Sequence, residues 1–90
     1  EGQELGFVNE VVPHEELMDA ALNWANQIKA CSPLSIRASK DVVYKSLDMA
    51  SLADSMTAHY DSVQSMVKSE DFVEGPLAFA EKRAPNWQGK

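Results

Sequence analysis

A single cysteine, Cys31, in 90 residues excludes an internal disulfide. Only 8 lysines and arginines stand against 14 acids, for a formal net charge of −6. The broad positive face that binds phosphate backbones is therefore missing, and with it a nucleic-acid-binding role. No apolar run nears the roughly 20 residues of a membrane span. Glycine and proline number four each and fall between periodic segments, as punctuation. The chain has no internal repeat and no low-complexity tract. It lacks G-x-G-x-x-G and G-K-[ST] nucleotide cradles, and no H-x-x-x-H or H-E-x-x-H spacing is present for zinc. The start, Glu1-Gly2-Gln3-Glu4, has no basic n-region and so does not read as a secretory leader. It also has no methionine, which is expected of a piece of a longer chain.

What is present is apolar and strongly patterned. Hydrophobic residues make up 44% of the chain, too many for a disordered tail. The length is that of one small domain. Such a domain buries only roughly 60–65% of the surface its unfolded chain exposes, so its stability alone is marginal. The composition predicts a soluble, intracellular, helical object.

The only β-like run is Gly6-Phe7-Val8-Asn9-Glu10-Val11-Val12, rich in valine and stopped by Pro13. One strand cannot make a sheet. It must pair outside this sequence or lie extended on the helices. From residue 14 to 31 the period becomes helical, with Leu17, Ala21, Trp24, Ile28 and Cys31 on one face. Ser32-Pro33 reads as an N-cap and first-turn proline of a second helix reaching residue 48. Its buried face is Ile36, Val43 and Leu47, and Arg37, Lys40, Asp41 and Lys45 should be mostly solvated. Ser51 with Asp54 resembles a capping box for a third helix. The spacing of Leu52, Met56, His59, Tyr60, Val63, Met66 and Val67 predicts that it runs unbroken to residue 68. Ser69 can cap a short turn over Glu70, Asp71 and Phe72, and Gly75-Pro76 should break any continuous helix. The final helix is expected from Pro76 to Arg83, with Trp87 in an irregular tail after Pro85. The fold class is thus all-α, about four helices preceded by one short extended segment: residues 1–13, then a helical domain over residues 14–90. Its apolar side chains exceed what four helices can cover, so some should face a partner.

Charge is uneven. Residues 1–31 and 51–81 each carry net −5, residues 32–50 net +1, and residues 82–90 net +3 from Lys82, Arg83 and Lys90. The basic tip either favours the dipole of a helix C-terminus or contacts an anion such as phosphate. The two histidines offer little chemistry: His59 falls on an apolar face beside Tyr60 and reads as packing, and His14 sits at a helix start. Cys31, on the buried stripe, reads as packing too. Glu70, Asp71 and Glu74 could face a hard cation but lack the Asx-rich loop with a central glycine that calcium requires. Asp61-Ser62-Val63 resembles the phosphopantetheine attachment motif of acyl carrier proteins, whose serine stands exposed at a helix start. Here the periodicity puts Ser62 in mid-helix, against that reading.

Four segments in order carry a stronger resemblance. Leu5-Gly6-Phe7-Val8-Asn9-Glu10-Val11-Val12-Pro13 opens the chain, and Glu16-Leu17 begins the helix after it. Ser32-Pro33-Leu34-Ser35-Ile36-Arg37-Ala38-Ser39-Lys40 follows. Glu74-Gly75-Pro76-Leu77-Ala78-Phe79-Ala80-Glu81-Lys82-Arg83, with Pro85 and Trp87, closes it. Together they resemble the C-terminal region of the enoyl-CoA hydratase/isomerase (crotonase) superfamily over nearly the whole chain. The last segment is similar to that of carnitinyl-CoA dehydratase- or carnitine racemase-like members.

The resemblance implies a spiral core of ββα units before this region, with the first segment as a strand at that core's edge. The helices would be the trimerisation region, making a homotrimer or hexamer. The intact enzyme would be a lyase or isomerase acting on an acyl-CoA thioester, in the bacterial cytoplasm, with no cofactor beyond the coenzyme A of its substrate. The family's oxyanion hole and acid/base carboxylates belong to the spiral core. No segment here matches them, so no catalytic residue is expected in this chain. Two residues match the family's CoA-binding positions. Lys82 corresponds to a lysine that approaches the phosphate end of CoA bound mainly to an adjacent subunit, or it is simply solvated. Phe79 corresponds to an aromatic at the mouth of the acyl or adenine pocket, or it packs. Arg83 reads as structural. The rival from another class is a stand-alone helical protein-interaction module without catalysis.

Overall fold

The structure is a computed structural model describing residues 1–90. The chain is all-helical and divides into two compact units, Glu1–Ala30 and Cys31–Lys90.

In the first unit the expected strand does not form. Residues 2–6 make a turn closed by Leu5 N–H donating to the Glu1 carbonyl at 2.9 Å, and Gly6 ends it with φ +86°. That left-handed backbone is open to glycine at no steric cost. Residues 8–13 carry no regular element. Strand geometry needs a neighbour's N–H and C=O groups, and no second extended run exists in this chain to supply them. The segment lies instead against α1 (Leu17–Lys29), where the Trp24 indole N–H donates to Glu10 Oε2 at 2.8 Å. A short 3₁₀ turn, His14–Glu16, leads into α1. The apolar stripe of α1 is in place but uncovered in this chain: Leu17, Leu22 and Ile28 are each more than half exposed. Cys31 lies past the helix end and is exposed, so it is no core residue. Helix is disfavoured just before Pro33, which explains the stop.

In the second unit α2 (Pro33–Ser46) packs chiefly on α4 (Asp61–Val67). Ala38, 3% exposed, is one of the few core side chains. Ser32 sits at the expected N-cap position, yet its hydroxyl makes no capping bond and is buried without a partner. Asp41, expected to be solvated, is half-buried: Ser62 Oγ–H donates to its Oδ2 at 2.6 Å, and Lys45 pairs with it at 3.0 Å. The Ser62 hydrogen bond, then Lys45, holds the Asp41 carboxyl below its ordinary range. Val43 and Leu47, expected inside, are 58% and 76% exposed. So few short helices offer too little facing surface to cover them.

The third expected helix is two. α3 (Leu52–Thr57) stops because Ala58 turns extended (φ −64°, ψ 152°), and α4 restarts at Asp61. Tyr60 causes the break to be favourable: its ring is buried and its hydroxyl donates to the Ser55 carbonyl at 2.8 Å, anchoring the chain beneath α3. His59 is therefore thrown outward, against expectation, and meets Asp61 at 3.0 Å. The break also puts Ser62 at a helix start rather than mid-helix, but its hydroxyl is half-buried and engaged by Asp41. The Ser51 cap forms as expected, with Asp54 N–H donating to Ser51 Oγ at 3.1 Å. The shorter Asp54 carboxylate accepts a hydrogen bond from the Ser51 hydroxyl in return, Oδ2 at 2.8 Å.

α5 (Glu70–Ala80) runs straight through Gly75-Pro76, where a break was expected. Proline costs the helix one backbone bond. The helix is nonetheless continuous because it nucleates earlier, at Ser69, whose Oγ accepts the Phe72 N–H at 3.1 Å. The acids Glu70 and Asp71 in its first turn suit the positive end of the dipole.

Candidate functional site

The C-terminal end of α5 holds both candidate binding residues. Phe79 is 87% exposed. Lys82 follows one turn later, exposed, with a left-handed backbone at φ 55°. Two bonds close the helix around it: Lys82 N–H donates to the Phe79 carbonyl at 3.2 Å, and Arg83 N–H to the Ala78 carbonyl at 3.0 Å. This pair is the Schellman arrangement, whose left-handed position is usually glycine. A side chain there costs roughly 1–2 kcal/mol. Lysine at this position therefore carries a local conformational cost that glycine would avoid. No carboxylate lies within ion-pair distance of its ammonium.

The next residue is engaged on two sides. Arg83 forks onto Glu74, with Nη1–Oε1 at 2.6 Å and Nη2–Oε2 at 2.9 Å, and its Nε–H donates to Glu81 Oε2 at 2.6 Å. Asn86 N–H adds a third bond to Glu74, at 2.6 Å. The Arg83 fork, then the Asn86 amide, pulls the Glu74 carboxyl down to about 2. The same two carboxylates hold the Arg83 guanidinium more firmly protonated. Arg83 thus ties the end of α5 to the helix body through Glu74 and Glu81.

Beyond Arg83 the tail doubles back along α5. Asp71, 3% exposed, accepts Gln88 N–H at 2.7 Å and Gly89 N–H at 2.8 Å, one on each oxygen. The Trp87 ring lies over Gly75, where an added Cβ would come within 3.2 Å of it. The acids Asp71 and Glu74 were legible in sequence only as a cluster facing a possible cation. Their partners are backbone amides and a guanidinium. The signal that could have found them is their spacing of three on one helix face, followed by a short cationic tail. No group of three or more His, Cys, Asp or Glu is placed to hold a metal ion. The cleft between α5 and the tail, about 460 Å³, is lined by Glu70, Asp71 and Glu74 among others. Its acidity suits no phosphate, and neither Phe79 nor Lys82 lines it. No helix is long and apolar enough to cross a membrane.

The chain is similar to known proteins along its length. The family model for enoyl-CoA hydratase/isomerase matches residues 1–90. The carnitinyl-CoA dehydratase of Escherichia coli O157:H7 is 42% identical over 91 residues, covering 94% of this chain and 34% of that protein. The carnitinyl-CoA dehydratase of Salmonella typhi is 41% identical, with the same coverage. Among solved structures, an enoyl-CoA hydratase/isomerase from Mycobacterium paratuberculosis superposes with a TM-score of 0.90 at 32% identity, over 99% of this chain and 35% of that one. An enoyl-CoA hydratase from Mycobacterium tuberculosis H37Rv gives 0.89 at 32% identity, again over 99% and 35%. This chain spans about a third of the length of the curated relatives it matches. Matched over residues 1–90 by the family model and over 99% of its length by the solved structure from Mycobacterium paratuberculosis, the chain belongs to the enoyl-CoA hydratase/isomerase family.

Proposed function

We propose that these residues are the C-terminal helical part of an acyl-CoA-processing lyase or isomerase. The observation that carries the reading is the 42% identity to carnitinyl-CoA dehydratases, proteins of which this chain spans 34%. The intact enzyme adds or removes water across the α,β bond of a thioester, or shifts that bond, and works in the cytoplasm. Its oxyanion hole and its acid/base carboxylates lie outside these 90 residues, as the family resemblance implies, so this part does no chemistry alone. Residues 1–13 join the spiral core that carries those groups, and residues 14–90 form the helical domain.

The part played here is to complete the binding site and the assembly. Lys82 offers an unpaired cation at the end of α5, suited to a phosphate of the CoA moiety. Phe79, exposed one turn before it, suits the face of an adenine or the mouth of an acyl pocket. The uncovered apolar side chains of α1, α2 and α5 suit burial against the spiral core and against neighbouring copies in a trimer or hexamer. Coenzyme A enters as part of the substrate and no separate cofactor is needed. An interaction module without catalysis would share the exposed surface, but it gives no reason for a likeness to dehydratases over 94% of this chain.

The test is an assay of crotonyl-CoA and carnitinyl-CoA turnover by the full-length enzyme and by residues 1–90. Turnover by the full-length protein alone is expected. Turnover by the 90-residue piece, or none by the full-length protein on either thioester, would overturn the reading.

A further inference from the structure

The geometry points to Glu74 as a positioning residue for Lys82: through the Arg83 fork it fixes the reversed backbone at Lys82 and keeps that lysine's ammonium free for an anionic partner. The inference rests on the reading of Lys82 as the contact to the phosphate end of an acyl-CoA. It adds a residue that touches no substrate yet sets how well the nucleotide end is held.

Two effects follow from the same contacts. The first is geometric. Lys82 sits between Glu81 and Arg83, and the Arg83 guanidinium reaches both Glu81 and, seven residues further back, Glu74. The left-handed turn at Lys82 is thereby tied to the body of α5 by a side-chain clamp as well as by its two backbone bonds. Without the clamp, Lys82 can relax to an ordinary backbone conformation, and its Cα–Cβ direction swings away. The second effect is electrostatic. Glu81 is the carboxylate next to Lys82 in sequence, and Glu74 lies two turns back. Both are occupied by Arg83. A Glu81 carboxylate released by Arg83 would compete with phosphate for the neighbouring Lys82 ammonium. Arg83 thus serves as the resident counter-ion that leaves Lys82 unpaired.

The experiment compares crotonyl-CoA with crotonyl-pantetheine, which lacks the nucleotide and its phosphates, on the full-length enzyme. The variants are Lys82→Ala, Glu74→Gln, their double, and Arg83→Lys, which keeps the charge but cannot fork. Lys82→Ala is expected to raise KM for the CoA ester about fivefold relative to the pantetheine ester. Glu74→Gln and Arg83→Lys should each raise that KM ratio by a factor between about two and the Lys82→Ala value. The double variant should match Lys82→Ala alone, because Glu74 acts only through Lys82. An additive double variant, or equal losses on both esters, overturns the role of Glu74. An unchanged ratio in Lys82→Ala overturns the phosphate contact itself, a separate outcome. Should Glu74→Gln fail to fold, Arg83→Lys decides the question alone: a folded Arg83→Lys with an unchanged ratio overturns the clamp.

Discussion

Arg83 and Glu74, nine residues apart, face each other in a two-bond fork of 2.6 and 2.9 Å, and the turn between them carries Lys82 in a left-handed backbone. The end of α5 is therefore not a frayed terminus but a closed loop. A guanidinium clamps it on one side, and backbone bonds from Lys82 and Arg83 close it on the other.

Stability and binding should trade against each other at Lys82. Lys82→Gly removes the penalty of a side chain at φ 55°. Glycine's larger unfolded-state entropy offsets part of that gain, leaving about 0.5–1 kcal/mol of added stability. The same change removes the cation and should raise KM for CoA esters. Urea unfolding and steady-state kinetics on the full-length enzyme measure the two sides. A destabilised Lys82→Gly would show that the lysine side chain makes a stabilising contact this geometry does not account for.

Acid should loosen the tail. The Glu74 carboxyl lies at about 2 in the folded chain, below its ordinary value near 4.5. A depressed carboxyl contributes stability that is full above its unfolded value and is lost as pH falls through its folded one. The Asn86 amide, bound to Glu74 Oε1, should stay protected from hydrogen exchange above pH ~4.5 and lose protection between there and pH ~2, after correction for intrinsic rates. Glu74→Gln should remove that pH step. Protection of Asn86 that stays flat across the window would argue against the clamp.

The α2–α4 contact has its own handle. Ser62→Ala deletes the 2.6 Å bond to Asp41, which is the first cause of that carboxyl's lowered pKa. The Asp41 carboxyl should titrate higher in the variant, closer to its ordinary range, as read by carbon NMR of the side chain. Loss of this hydrogen bond should also lower the urea midpoint of unfolding slightly. If Asp41 titrates unchanged, Lys45 rather than Ser62 governs it.

The sequence marked the segment that ends α5 and the cations beyond it. The segment from Glu74 to Arg83 pointed to the family, and it places Phe79 in the last turn of α5 with Lys82 just past the helix end. The basic tip was legible as a charge imbalance. Its internal partition was not: Arg83 is consumed by Glu74 and Glu81, and Lys90 approaches Glu70 at 3.8 Å, while Lys82 stays unpaired. Which cation meets which acid depends on where the tail turns, and Asp71 and Glu74 hold the tail back on α5 by accepting its amides.

Local chemistry in the sequence alone determined the helical class and the starts of several elements. Ser51 and Ser69 cap helices through their own hydroxyls, and Pro33 opens α2, because these effects act within one turn and need no distant partner. The tertiary structure decided what periodicity misread. Tyr60 found a carbonyl under α3 and split one apparent helix into two, and Pro76 was carried inside a helix begun six residues earlier. The first segment formed no strand. In each case a specific contact, or the want of a strand partner within these residues, outweighed a local preference worth about a kilocalorie or a few.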